Sequence, residues 1–133
     1  SEMCIRDRVN VIDFQDMCIA PIGIDIAGIL LDHYMSFDRS TIKKDLKYFL
    51  DHSYISLSED DLFEFFRWSG IQRNMRILGT LANLYCDEGR DFRLKDLPNI
   101  LSNLTNLIPD KHYSKSFFED KVKNKLTERL AAL

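Results

Sequence analysis

The sequence predicts a mainly α-helical domain entered by one short β-strand, and three observations carry that expectation. From Ile24 to Leu130 apolar residues recur mostly at intervals of three and four, the spacing that lines one face of a helix. Residues 9–14, VNVIDF, alternate and are rich in β-branched side chains, as a strand requires. The chain has 133 residues, 45% of them hydrophobic and 29% charged. That is enough for one core and too little for two, since a domain usually holds about 100–150 residues.

The elements follow in order. The strand ends at Asp13. Ile26, Ile29, Leu30 and Tyr34 predict a first helix starting at Ile24, with Asp25 in the first turn where the helix dipole favours an acid. Ser40 reads as the N-cap of a second helix that buries Ile42, Leu46, Phe49 and Leu50, turns Lys43, Lys44 and Lys47 to water, and ends near residues 51–53. Ser58 and Asp61 resemble a capping box with Asp in place of Glu, opening a long central helix from Leu62 to Cys86. Ile71, Met75, Leu78, Ala82 and Tyr85 form one stripe on it, and Ile77, Leu81 and Leu84 a second. A helix apolar on two flanks packs between neighbours. Gly70 marks a break or a close helix contact. CDEGRD at 86–91 is a turn, with Gly89 free to take the left-handed conformation. Asp96 reads as the cap of a helix with Pro98 in its first turn and Leu97, Leu101, Leu104 and Ile108 buried, which Pro109 terminates. A last helix, roughly 114–130, carries Phe118, Val122, Leu126 and Leu130 at intervals of four.

The opening SEMCIRDR looks like a translated sequencing-adaptor remnant, so residues 1–8 are set outside the fold. Removing Arg6 and Arg8 with Glu2 and Asp7 leaves the net charge at −3. With a pI near 5.6, the chain has no general basic field for nucleic acid. No window approaches the run of about 18 apolar residues that spans a membrane, and no secretory leader is visible. A cytoplasmic protein is expected. Cys4, Cys18 and Cys86 match neither a disulfide framework nor a Cys-x-x-Cys site and read as reduced thiols. His33, His52 and His112 share no ligand spacing and read as surface or capping residues.

Chemistry concentrates in residues 11–34, VIDFQDMCIAPIGIDIAGILLDHY. A carboxylate at the exposed end of a buried strand is a hard-oxygen ligand for magnesium, because the strand aims it and the following loop admits water and phosphate. Asp13 fits that role. Asp16 fits the same metal site or a substrate hydroxyl. On spacing alone the plainer reading is the commoner one: both aspartates start a loop and bond its backbone N–H groups.

VIDFQD, the proline that follows, and then ID-IA-LL-DHY resemble the C-terminal lobe of the aminoglycoside phosphotransferase-like kinases. The likeness is narrower to the bacterial branch containing the anomeric N-acetylmuramate/N-acetylglucosamine kinases. FFRWSGIQRNMRILGTLANLYCDEG at 65–89 and LKDLPNIL at 94–101 resemble that branch's later helices, so the resemblance covers residues 9 to about 108. It implies that residues 9–133 are the helical C-terminal lobe of a protein-kinase-like fold. It also implies an ATP- and magnesium-dependent transfer to a small-molecule hydroxyl, most specifically an amino sugar in cell-wall recycling. Asp13 then corresponds to the aspartate that holds the ion bridging the ATP phosphates, making it the catalytic, cofactor-binding and metal residue, with Asp16 a second metal or substrate ligand. Asp25 matches the aspartate of the family's Y-D-L-A segment and would brace the catalytic loop, though it also reads as a simple first-turn acid. Asp32 matches an acidic position one turn on, at the sugar site. Arg73 matches the arginine of the family's G-x-Q-R segment on a helix where Gln72, Arg76 and Asn83 form a partly polar seam. Arg73 reads as a substrate ligand, or more simply as half of a structural ion pair.

Ala20, Ile24 and Leu31 depart from the glycine, tyrosine and arginine common in the family, which leaves the sugar less defined than the fold. The family's H-x-D-x-x-x-x-N catalytic loop should lie just before the strand, and nothing before Val9 matches it. Nor is there a nucleotide-binding lobe with its phosphate-covering loop and lysine. The expectation is a fragment that by itself binds ATP poorly and transfers no phosphate. An aminoglycoside or choline-like acceptor is the alternative within the same chemistry. A non-catalytic helical interaction domain is the alternative outside it.

Overall fold

The long helix predicted at the centre organises the protein, and in the computed structural model it runs as α3 from Glu59 to Glu88. The structure describes residues 19–31 and 38–132. The strand expected at 9–14, the segment 1–8, Cys4, Cys18 and His33 lie outside the described residues. The described part is mainly α-helical and contains no strand. Its elements are α1 (Gly23–Leu30), α2 (Arg39–His52), α3, a 3-10 turn (Leu94–Asp96), α4 (Leu97–Leu107) and a C-terminal helical run. That run comprises α5 (Ser114–Ser116), a π-helical stretch (Phe117–Val122) and α6 (Lys123–Ala131).

Caps explain where the helices begin. Ser58 accepts the Asp61 N–H at 3.0 Å, which is the first half of the expected capping box; the second half differs, since the Asp61 carboxylate takes the Ser58 hydroxyl at 2.7 Å where a capping box uses the backbone N–H. Helix α2 differs: its N-cap is Asp38 and not Ser40. The Asp38 carboxylate accepts the N–H of Ser40 and of Thr41, at 3.2 and 3.1 Å, and also both of their hydroxyls. A carboxylate placed two residues before Ser40 outcompetes the shorter hydroxyl for the free donors of the first turn. Asp96 precedes α4 but makes no capping bond; its carboxylate takes the Arg93 Nε–H at 2.9 Å instead. At the far end of α3, Gly89 adopts φ 66° and its N–H bonds the Tyr85 carbonyl at 3.0 Å, which is the expected left-handed stop.

The core lies where α1, α2 and α4 meet α3. Ile26, Ala27 and Leu31 pack with Ile42 and Leu46, with Leu62, Phe63, Phe66 and Ile71, and with Leu101, Leu104, Leu107 and Ile108. Full burial of side chains such as Phe66 and Leu104 contributes roughly 1.5–3 kcal/mol each. A second cluster, Leu81, Leu94, Leu97 and Ile100, holds the far end of α3 to α4. Phe118, Val122, Leu126 and Leu130 lie half-buried on these clusters, so the intervals of four in the last helix locate its inner face. The π-helical stretch inside that run was not predicted. The stripe expected on α3 is corrected: Met75 and Ala82 are exposed, and the buried face of its first half is Leu62, Phe63, Phe66, Gly70, Ile71 and Asn74. Asn74 is buried without penalty because its Nδ2 donates to the Gly70 carbonyl at 2.8 Å.

Two glycines set the helix spacing. A Cβ on Gly70 would meet Leu107 Cδ1 at 2.9 Å and Leu31 Cδ1, so this residue is the close contact and no break occurs. A Cβ on Gly23 would run into the Phe65 backbone carbonyl and meet Ser69 Oγ at 2.7 Å. Glycine thus lets the start of α1 lie directly on the α3 backbone.

Candidate functional site

The close seat of Gly23 on α3 creates a cleft. Pro21 and Ile24 form one wall. The other is an α3 face on which Asp61, Phe65, Trp68 and Gln72 recur at four-three-four spacing, flanked by Glu64 and Ser69. Such spacing stacks side chains one above another along a helix. The cleft is open to solvent and offers about 460 Å³, within the usual range for small-molecule pockets. Its floor is aromatic, with Phe65 and Trp68 respectively 45% and 47% exposed. Trp68 is steadied by His112, whose ring stands 5.7 Å away at 71°. Ser114 holds His112 in turn, its hydroxyl oxygen hydrogen-bonded with Nδ1 at 2.7 Å and its N–H 3.4 Å from the same atom.

Polar groups punctuate the rim. One Asp61 carboxylate oxygen accepts from Ser58, and one Glu64 oxygen pairs with Arg67 at 2.8 Å. Each carboxylate has a second oxygen. Gln72 contributes an amide and Ser69 a hydroxyl. An apolar aromatic floor with a few convergent polar groups is the usual composition of a small-molecule site.

The residues predicted from sequence do not assemble into one described site. Asp13, Asp16 and Asp32 lie outside the described residues. Asp25 sits in the first turn of α1 as predicted, exposed, and lines a separate hollow of about 230 Å³ between α1 and α2 with Ile22, Ile29, Asp45 and Phe49. Arg73 is half-buried one residue beyond Gln72. Its Nε is buried, and among the described residues it has no hydrogen-bond partner. The structural ion pair that sequence reasoning favoured for Arg73 is absent among the described residues.

Elsewhere several cations are engaged. Arg39, Lys43 and Arg67 lie 5.2, 5.6 and 4.9 Å from the centre of the Phe63 ring. Lys115 pairs with Asp110 at 2.5 Å and holds that carboxyl below its ordinary range. Lys47 pairs with Glu59 at 2.7 Å and is pushed above the usual lysine value. No cluster of three or more His, Cys, Asp or Glu suited to a metal ion occurs among the described residues. No helix there is long and apolar enough to cross a membrane. Cys86 is exposed and unpaired, consistent with a reduced thiol.

Sequence reasoning missed the cleft's aromatic floor. Phe65 and Trp68 stood inside a resemblance segment without being singled out. The available signal was their spacing with Asp61 and Gln72 on a face that the core stripe does not use.

Comparison with known proteins yields a distant relative. The chain is 28% identical over 107 residues to the N-acetylmuramate/N-acetylglucosamine kinase of Neisseria meningitidis serogroup B, covering 77% of this chain and 32% of the relative. The chain therefore spans about a third of the length of the curated relative it matches. That match supports a sugar-kinase relationship. No protein-family model matches the chain, and no solved structure does.

Proposed function

We propose that this chain is the helical C-terminal part of a cytoplasmic, ATP- and magnesium-dependent phosphotransferase that phosphorylates an amino sugar, N-acetylmuramate or N-acetylglucosamine, in cell-wall recycling. The observation that carries the reading is the 107-residue match to a kinase of that specificity. It agrees with the segments VIDFQD, IDIA and GIQR, which resemble the aminoglycoside phosphotransferase-like kinases.

In this reading Asp13 and Asp16 supply hard carboxylate oxygens, the donor type that magnesium takes together with water and phosphate. The bound ion would neutralise charge on the ATP phosphates as the terminal phosphoryl group moves. Asp13 would hold that ion, and Asp16 would share it or accept a hydrogen bond from the acceptor. Asp25 would brace the catalytic loop of the longer enzyme from the start of α1. Asp32 and Arg73 are assigned to the sugar site by the family positions that they match. Positioning and electrostatics carry such a transfer, with no covalent intermediate on the protein.

The test is Asp13→Ala in the longer enzyme that joins this chain to a nucleotide-binding lobe. It is assayed with ATP and magnesium against N-acetylglucosamine, N-acetylmuramate, an aminoglycoside and choline. Phosphorylation of the amino sugars by the natural enzyme, and its abolition in a variant with unchanged circular dichroism, is the expected result. Undiminished turnover in the variant removes Asp13 from the assignment. Transfer to the aminoglycoside or to choline alone replaces the acceptor. Absence of any ATP-linked stabilisation would leave a helical interaction domain.

A further inference from the structure

We infer that the cleft between the start of α1 and α3 is the acceptor-sugar site, with Trp68 as the stacking platform and Gln72, Ser69, Asp61 and Glu64 as the hydroxyl- and acetamido-binding rim. The inference rests on the amino-sugar reading above and deepens it, because nothing in the match says which residues hold the sugar. A pyranose ring presents a face of C–H groups and an equatorial rim of hydroxyls. It therefore suits a flat aromatic surface bordered by polar groups. The cleft has that form: Phe65 and Trp68 lie half-exposed on its floor, and the four polar side chains belong to the same α3 face.

Two features argue for a sugar over another small molecule. The Asp61 and Glu64 carboxylates each commit one oxygen to the protein, to Ser58 and Arg67 respectively. The second oxygen of each can accept a hydroxyl proton. Ser69 and Gln72 also offer donors, which a quaternary ammonium could not use and an acetamido carbonyl can. The platform is also steadied before any ligand arrives, since His112 and Ser114 hold Trp68 from the side. A fixed aromatic loses little side-chain entropy on binding.

Trp68 is the chain's one tryptophan, so its fluorescence reports on this cleft directly. The 133-residue chain is titrated with N-acetylglucosamine without nucleotide, with choline as the competing probe. A saturable emission change with the sugar is expected, and none with choline. By calorimetry or NMR titration, Trp68→Ala should weaken sugar binding about tenfold and Gln72→Ala several-fold. Gln72 is exposed on the helix surface, so its variant keeps the fold even if Trp68→Ala does not. In the longer enzyme the Gln72→Ala change should raise KM for the sugar and leave KM for ATP unchanged. Unaltered sugar KM in that variant, in an enzyme that does phosphorylate the sugar, overturns the cleft assignment while the kinase reading stands. Choline binding in place of the sugar overturns it as well. A longer enzyme that phosphorylates no amino sugar removes the underlying reading and this inference with it.

Discussion

At Asp38 a single carboxylate decides where a helix starts. Four donors from Ser40 and Thr41 converge on it and lower its pKa from 3.8 to about 2, the Thr41 hydroxyl contributing most. A group with a depressed folded-state pKa contributes stability above its ordinary value and loses it as pH falls through the folded value. Asp38→Ala should therefore lower the melting temperature at neutral pH, and the gap to the natural chain should close between about pH 4 and about pH 2. Paired thermal melts across that range check it, and a gap that ignores pH would show that the cap does not act through its charge. The same residue explains why sequence reading placed the cap at Ser40. Both Asp38 and Ser40 are good capping types, and only the backbone path shows which one has non-helical dihedrals and reaches the free N–H groups.

At the scale of elements, the seating of α1 on α3 shapes the cleft, and glycine permits it. Gly23→Ala places a methyl against the Phe65 carbonyl, which cannot move without shifting α3. Gly79, by contrast, has nothing within 4 Å of an added Cβ. Gly23→Ala should destabilise the chain by about 1–3 kcal/mol, whereas Gly79→Ala should stabilise it by about 0.5–1 kcal/mol through helix propensity. Urea denaturation of the two variants separates them, and a Gly23→Ala chain as stable as the natural one would contradict the close seat. Helix existence was readable at this scale because each helix has its own periodic face. Which part of α3 is buried was harder to read. A 30-residue helix carries more apolar side chains than its neighbours cover, so Met75 stays exposed while Asn74 goes under cover with a backbone partner.

For the whole molecule, the chain spans about a third of the sugar kinase it matches, and its 133 residues contain no H-x-D-x-x-x-x-N segment. The chain alone should accordingly show no sugar-dependent ATP turnover in a coupled assay, although it should still bind the sugar. Sugar-dependent turnover by residues 9–133 would contradict the assignment of the missing parts to a separate lobe. The mainly helical class, the order and approximate limits of the helices, and the left-handed stop at Gly89 all follow from local chemistry. Periodicity, capping residues and turn residues act within a few positions of one another, so they can be read along the chain. The candidate cleft could not be read that way. Pro21 and Ile24 lie some forty residues before Phe65 and Trp68 in the sequence, and they become neighbours only because Gly23 packs on the α3 backbone. A binding surface built from two helices depends on how closely they approach, and that distance arises from packing across the core.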